Sequence, residues 1–389
     1  MGKAGAKGRE IPQGGSPLSS EAARPPLALA PGWGGWGPRP DAGVSGARGV
    51  AALGPAPVNL SRAYDKEMSA PLAPPGQFWQ VSGCRLHAQL HPAVNGRSSP
   101  TVVMDAALGG SSLSWLFVER RVREFAPTLA YDRAGLGWSE PGPMPRELPR
   151  LVAELRQLLD QAAAPPYLLV GHSFGALVVR QFTAQYPAQV AGLVLVDPPA
   201  LAEWAHPDAE HRARLESGIR LCRRGAWASR CGLAQFCAWL ISIGALRLAA
   251  RYATVVSGGK LRKPSDFNFT PAVLLPDDCK PVMRWFWTRP RLYEALAGQM
   301  AALPAAARLV AQVPALDNLP LAVLSAADTP APQLEEHDLL ARQSARGTHL
   351  QAHASGHWIP LEEPELVIDA IRAVYDQTAK IVYPEEQRT

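Results

Sequence analysis

Between Thr101 and Val196, four short apolar runs alternate with segments of helical spacing, and this alternation constrains the fold more than any other feature of the chain. The runs are Thr101-Val-Val-Met104, Thr128-Leu-Ala-Tyr131, Tyr167-Leu-Leu-Val170 and Val190-Ala-Gly-Leu-Val-Leu-Val196. Each is apolar at successive positions rather than alternate ones, as a strand covered on both faces requires. Between them Leu113, Leu116, Phe117, Val122 and Phe125 carry helical spacing, as do Leu151, Leu155, Leu158 and Leu159 after Pro149. A third helix is predicted from Phe174 to about Tyr186. Such alternation implies crossover connections, so the expected fold class is α/β, a mostly parallel sheet with helices on both faces. Two more strands, Phe78–Val81 and Cys84–Leu90, flank the turn Ser82-Gly83.

The pattern stops at Leu201 and resumes at Leu321-Ala-Val-Leu324. A helix near Glu335–Arg346, a strand Thr348–Ala352 and a last helix from Glu365 to Gln377 complete it. Residues 201–315, helical and rich in arginine, are expected to form a cap over the strands' C-terminal ends, where α/β sheets bind ligands. The core is then split between residues 76–200 and 316–380, with a tail at 381–389. Residues 1–75 hold 25 glycines and prolines, too many to bury a core, and are expected to be disordered. They contain no apolar run of a secretory signal, and Ala6 stands where N-myristoylation needs Ser or Thr. A cytoplasmic location is expected. A mitochondrial presequence stays open, because bases outnumber acids there by 8 to 5.

Composition narrows the function. With 47% apolar residues the chain can build a large core, and a net charge of +5 with 19% charged residues is not the dense basic stripe of a nucleic-acid binder. The five cysteines include no C-x-x-C pair, which argues against a disulfide framework or a cysteine zinc site and for a reducing compartment. No dinucleotide fingerprint, phosphate loop or H-E-x-x-H motif occurs, so neither cofactor nor metal is implied.

Gly171-His-Ser173-Phe-Gly175 carries the chemistry. A lone G-x-S-x-G is weak, but this one follows an apolar strand and opens a helix, the setting of a nucleophile on a strained turn. Glycines on both sides suit that turn, because a Cβ there would clash with the neighbouring strand and helix.

Together with Tyr131-Asp-Arg-Ala-Gly-Leu-Gly-Trp-Ser139 and a Pro100-Thr-Val-Val strand running into Gly109-Gly-Ser-Ser112, the motif resembles the α/β-hydrolase superfamily over residues 76–200 and 318–378. It is most similar to bacterial-type serine hydrolases. The resemblance implies Ser173 as nucleophile and His357, in Ser355-Gly-His-Trp-Ile-Pro360, as base. It implies a carboxylate that fixes the histidine's tautomer. Asp328, after the Leu321–Leu324 strand, is preferred as that acid. Asp197, at the end of the Val190–Val196 strand, is the rival, and otherwise caps a turn before Pro198-Pro199. Glu335 is a poor third. The oxyanion donors are expected to be the backbone N–H groups of Phe174 and Leu108. Ala106-Ala107 replaces the family's His-Gly pair, which predicts a less well-formed hole.

Other residues are read as structural. Asp132 and Arg133 are expected in an ion-paired turn beneath the site, His349 in a strand, and His172 against the turn or lining the pocket. His353 competes with His357, and His87 and His91 have no visible partner. The cysteines are read as packing residues. Cys231–Leu246, without a charge, reads as a buried cap helix, with contact to a membrane surface or to an acyl chain as the alternative. Trp285, Phe286 and Trp287 line a pocket or form the cap's own core. The resulting expectation is a serine hydrolase acting on an ester, thioester or amide of a small, apolar acyl substrate. The alternative is a catalytically weak relative that binds a ligand or a protein, and transfer of the acyl group to an acceptor other than water stays open.

Overall fold

The computed structural model describes residues 73–242 and 274–382. The expectations for the N-terminal segment up to residue 72, for 243–273 of the insertion and for 383–389 lie outside the described residues. All eight predicted strands form: β1 Gln77–Val81, β2 Cys84–His91, β3 Thr101–Asp105, β4 Thr128–Tyr131, β5 Tyr167–His172, β6 Val190–Val196, β7 Leu321–Ser325 and β8 Gly347–Gln351. They make one sheet in the order β1-β2-β4-β3-β5-β6-β7-β8. β2 runs antiparallel to both β1 and β4, and every other pair is parallel.

The described helices are α1 Leu116–Val122, α2 Leu148–Ala162, α3 Phe174–Gln185, α4 Leu201–Ala205, α5 Ala209–Arg230, α6 Leu233–Ser242, α7 Lys280–Trp287, α8 Pro290–Val310, α9 Ala331–Ala341, α10 Ile359–Glu362 and α11 Pro364–Val382. α1 ends sooner than its apolar spacing suggests, with Phe125 in the turn before β4. α9 starts four residues before the predicted Glu335, because Pro332 sits in its first turn, where no N–H is needed.

Successive residues of a strand point to opposite faces, and here both faces are covered. Val103, Leu169, Leu193 and Val323 join the layer formed with α2 and α3. Val102, Leu168, Val170 and Leu324 join the layer formed with α1 and α11. α2 shows how the sequence seats a helix: Leu148, Leu151, Val152, Leu155, Leu158 and Leu159 are buried on one face. Each such leucine contributes about 1.5–3 kcal/mol through burial. The parallel strands β3, β5, β6 and β7 thus bring their C-terminal ends to one edge of the sheet. Helices α4 to α8 are inserted between β6 and β7.

Candidate active site

β5 ends at His172 and α3 begins at Phe174, so Ser173 stands alone on the turn between them. Its φ is 52°, a left-handed conformation that costs a non-glycine residue on the order of 1–3 kcal/mol. The surroundings enforce it. The Ser173 N–H donates to the carbonyl of Val196 at 2.8 Å, tying the turn to the end of β6. A Cβ on Gly171 would come within 2.7 Å of the Ala176 backbone, and one on Gly175 within 2.4 Å of the Asp105 carbonyl oxygen. Strand, helix and the loop after β3 therefore close around the serine only because both positions are glycine.

Asp197, directly after β6, also has positive φ, at 44°. Ser173 and Asp197 are two of the four such non-glycine residues among the described residues. The Asp197 N–H donates to Leu324 at 2.7 Å, and its Oδ1 accepts from the Ala326 N–H and the Thr329 hydroxyl, both at 3.3 Å. Its Oδ2 accepts from His357 Nδ1 at 2.6 Å. The carboxylate is 7% exposed and the imidazole 47%. Burial pushes the Asp197 carboxyl up, but the hydrogen bond and charge of His357 and the Ala326 N–H outweigh it and hold the group below the usual carboxylate range.

The expected partner of His357, Asp328, does not hold this position. β6 lies next to β5, which carries the serine turn, and β7 lies one place farther out. Asp197 follows β6 at once, whereas Asp328 comes three residues after the end of β7. Asp328 instead lines a polar cavity of about 310 Å³ that Asp197 and His357 also line, with Thr329, Gln333 and Glu362. Glu335, the third choice, lies in α9 beside a surface groove with Leu201 and Leu339.

His357 follows β8 in the loop before α10. His172 holds that loop from below. It is fully buried, and its Nε2–H donates to the His357 carbonyl at 2.7 Å. Its ring meets Trp115 and Trp358 edge-on. Burial, helped by the neighbouring His357, pushes its imidazole down to about 3, so it is neutral. The backbone after Asp197 is also pinned, because His337 Nε2–H donates to the Pro198 carbonyl at 2.8 Å. His337 Nδ1 then accepts from Ser325 Oγ at 2.6 Å, which in turn accepts from His349 Nε2 at 2.7 Å. His349 is thus part of a structural chain. His353 is exposed, and its N–H donates to Glu363 at 3.1 Å.

The loop after β3 abuts the start of α3, with the Asp105 and Ala106 carbonyls against Gly175. Ala107 is not asked for a glycine-like backbone conformation. The left-handed φ of this loop, +70°, falls on Gly109, and Ala107 is not among the positive-φ residues. The expected Asp132–Arg133 turn divides into two pairs. Asp132 accepts from Ser112 N–H at 2.6 Å and Trp138 N–H at 3.0 Å, and pairs with His87 Nδ1 at 2.9 Å, so His87 does have a partner. Arg133 pairs instead with Asp105 at the end of β3. Its importance was not visible in the sequence, since all its partners lie more than twenty residues away.

The insertion packs onto this edge. Leu296 of α8 lies 3.3 Å from where a Gly109 Cβ would stand. Phe286 of α7 meets Trp138 edge-on at 4.9 Å and joins Leu113, Leu116 and Leu361 in one apolar cluster, with Trp285, Trp287 and Trp358 against it. This aromatic segment is therefore a core between insertion and sheet. Leu233 and Phe236 of α6 are 49% and 46% exposed, so this part of the apolar stretch is not a buried helix. Cys84, Cys222 and Cys279 are buried, and burial, with Asp278, pushes the Cys279 thiol up to about 12. Among the described residues no helix is long and apolar enough to cross a membrane, and no group of three or more His, Cys, Asp or Glu is placed to hold a metal.

A carboxylate that accepts the Nδ1 proton leaves Nε2 of the imidazole as the free base. Such a pair, together with a serine on a strained strand–helix turn at the end of the adjacent strand, marks a class, the hydrolases of the α/β fold. A profile of the alpha/beta hydrolase family matches residues 94–370, and the chain belongs to that family. The uncharacterized protein YqjL of Bacillus subtilis (strain 168) is 33% identical over 140 residues, 35% of this chain and 54% of that protein. The putative carbamate hydrolase RutD of Escherichia coli O9:H4 (strain HS) is 31% identical over 164 residues, 41% of this chain and 59% of that protein. The matches thus span little more than half the length of these relatives. A thermophilic esterase from Thermogutta terrifontis shares the fold with a TM-score of 0.53 at 20% identity, over 78% of this chain and 99% of the esterase. The epoxide hydrolase CorEH does so with a TM-score of 0.55 at 17% identity, over 77% of this chain and 98% of the other.

Proposed function

We propose that the protein is a serine hydrolase that cleaves an ester, thioester or amide through an acyl-enzyme on Ser173. One observation carries the reading: the buried Asp197 carboxylate on His357 Nδ1 directly follows β6, whose last carbonyl accepts from the N–H of Ser173, itself held at positive φ. In the first step Ser173 Oγ bonds to the acyl carbon while His357 Nε2 takes its proton. The imidazolium so formed faces the ionised Asp197, and the tetrahedral oxyanion accepts from the Leu108 and Phe174 N–H groups. The proton then passes to the leaving group as its bond to carbon breaks. Water, deprotonated by the same imidazole, hydrolyses the ester on Ser173. A serine rather than an aspartate at the turn favours acyl chemistry over attack on an epoxide carbon. The name of the E. coli relative adds a carbamate carbonyl to the substrates this chemistry would accept.

The insertion between β6 and β7 serves as the cap. Burst kinetics test the reading. p-Nitrophenyl acetate should release one equivalent of nitrophenol per protein before steady turnover, with the acetyl group recovered on Ser173. Release without a burst and without an acetylated serine would favour a ligand-binding relative with only incidental esterase activity.

A further inference from the structure

Arg133 is 3% exposed and lies under the loop that carries Leu108. Its guanidinium makes three kinds of contact there. Nη1 donates to the Asp105 carboxylate and, at 2.7 Å, to the Ala106 carbonyl. Nη2 donates to the Ala107 carbonyl at 2.6 Å. The guanidinium carbon also sits 5.4 Å from the centre of the Phe174 ring, so one side chain touches the residues on both sides of the proposed oxyanion hole.

The Ala107 carbonyl and the Leu108 N–H belong to one peptide unit. In a trans peptide the C=O and N–H bonds are coplanar and point in opposite directions. A carbonyl anchored downward on Arg133 therefore sends the Leu108 N–H upward, away from the guanidinium. The Gly110 N–H adds a second donor to the same carbonyl at 2.9 Å, which closes the turn but leaves its tilt to Arg133. The contact replaces what the loop lacks in sequence. Ala106 and Ala107 offer no polar side chain to fix the peptide plane, and a buried arginine fork fixes it from below.

We infer that Arg133 is a positioning residue for catalysis, orienting the Ala107–Leu108 peptide so that its N–H faces the oxyanion. The inference rests on the reading of Ser173 as nucleophile. It goes beyond the ion pair, because Asp105 alone would account for a buried arginine without any contact to the two carbonyls.

The test separates the charge pair from the carbonyl contacts. Asp105→Asn removes the ion pair and keeps the guanidinium on the loop. Arg133→Met with Asp105→Asn removes both, without leaving a buried unpaired charge. Each protein is treated with a fluorophosphonate, whose phosphoryl oxygen enters the same hole, and the second-order labelling rate of Ser173 is measured. kcat and KM for p-nitrophenyl acetate and thermal melting are measured alongside. Loss of one oxyanion donor costs about 10²–10³-fold. The double variant should therefore label and turn over about 10²-fold more slowly than Asp105→Asn, with KM within about threefold, although it removes the unpaired guanidinium that Asp105→Asn leaves buried and so should melt no lower. If the double variant does not fold, Arg133→Lys carries the test, since an ammonium keeps the charge opposite Asp105 but cannot hold two carbonyls in a plane. It should melt like the native protein and label about 10-fold more slowly. Equal labelling rates for Asp105→Asn and the double variant, or for Arg133→Lys and the native protein, would overturn the inference. A native protein that does not label at all would overturn the serine-hydrolase reading and this one with it.

Discussion

Replacing Asp197 by asparagine separates its proposed role from a merely structural one. Asparagine tolerates the positive φ of 44° as aspartate does, so the backbone after β6 need not change. The amide oxygen can still accept from the Ala326 N–H and the Thr329 hydroxyl, now both at 3.3 Å. The amide NH2 then faces His357 Nδ1, across the 2.6 Å contact that a carboxylate oxygen now makes. A donor in that place selects the tautomer with the proton on Nε2, which cannot take a proton from Ser173. The imidazolium also loses its counter-charge. A fall in kcat of roughly 10³–10⁴-fold is expected, or about 4–5.5 kcal/mol of transition-state stabilisation, with KM little changed. Folding stability should fall by only about 1–3 kcal/mol. The assay is p-nitrophenyl acetate turnover beside thermal melting, with Asp328→Asn as the control. Asp328 does not contact the imidazole nitrogen that Asp197 occupies, so its asparagine variant should turn over within a fewfold of the native rate. Normal turnover by Asp197→Asn, or a crippled Asp328→Asn, would refute this reasoning.

Gly175→Ala should destabilise the fold and slow turnover together, because its Cβ would stand 2.4 Å and 2.8 Å from the Asp105 and Ala106 carbonyl oxygens and only backbone can move. Melting and turnover of that variant check this. Glu154 and Arg146, 3% and 1% exposed, form a bidentate pair inside the protein, at 2.6 Å and 2.7 Å. Glu154→Leu should cost about 3–5 kcal/mol in denaturant unfolding by leaving the arginine unpaired, and adding Arg146→Met should restore most of it. His172 binds its proton at about 3 in the folded protein against 6.5 unfolded, so the unfolded chain holds more protons between these values. Its contribution to stability is full above pH 6.5 and declines as pH falls, by about 2 kcal/mol at pH 5. Urea unfolding across this range, with His172→Gln as the flatter comparison, measures it. Asp197 adds the same sign lower down. Its contribution is present above its unfolded value of 3.8 and is lost as pH falls through its lower folded one.

Strands β3 to β7 were legible because each is a local apolar run, and burial on both faces leaves a mark on nearly every residue, whereas β1, β2 and β8, at the two sides of the sheet, are partly exposed and carry a weaker signal. The elbow was legible for the same reason, since glycine, serine and glycine must be neighbours to build it. The acid was not. Asp197 and Asp328 both follow apolar strands, and both lie between Ser173 and His357 in the chain, so order alone cannot separate them. The choice depends on the adjacency of β6 to β5 and on the left-handed turn at Asp197. These are tertiary facts with no local signature. Asp132 and Arg133 read as an ion-paired turn, but their partners were hidden in a related way. Neighbouring residues leave an extended chain in opposite directions. One therefore reaches back to His87 in β2 and the other to Asp105 in β3.

The central claim is that Ser173 is an activated nucleophile, and site-mapped covalent labelling tests it most directly. The native protein and Ser173→Ala are each treated with a fluorophosphonate, digested, and the adduct is located by mass spectrometry. One adduct per chain is expected, on Ser173, and none in a Ser173→Ala protein of unchanged circular dichroism. Labelling of the two proteins to the same extent, or a native protein that stays unlabelled, would contradict it.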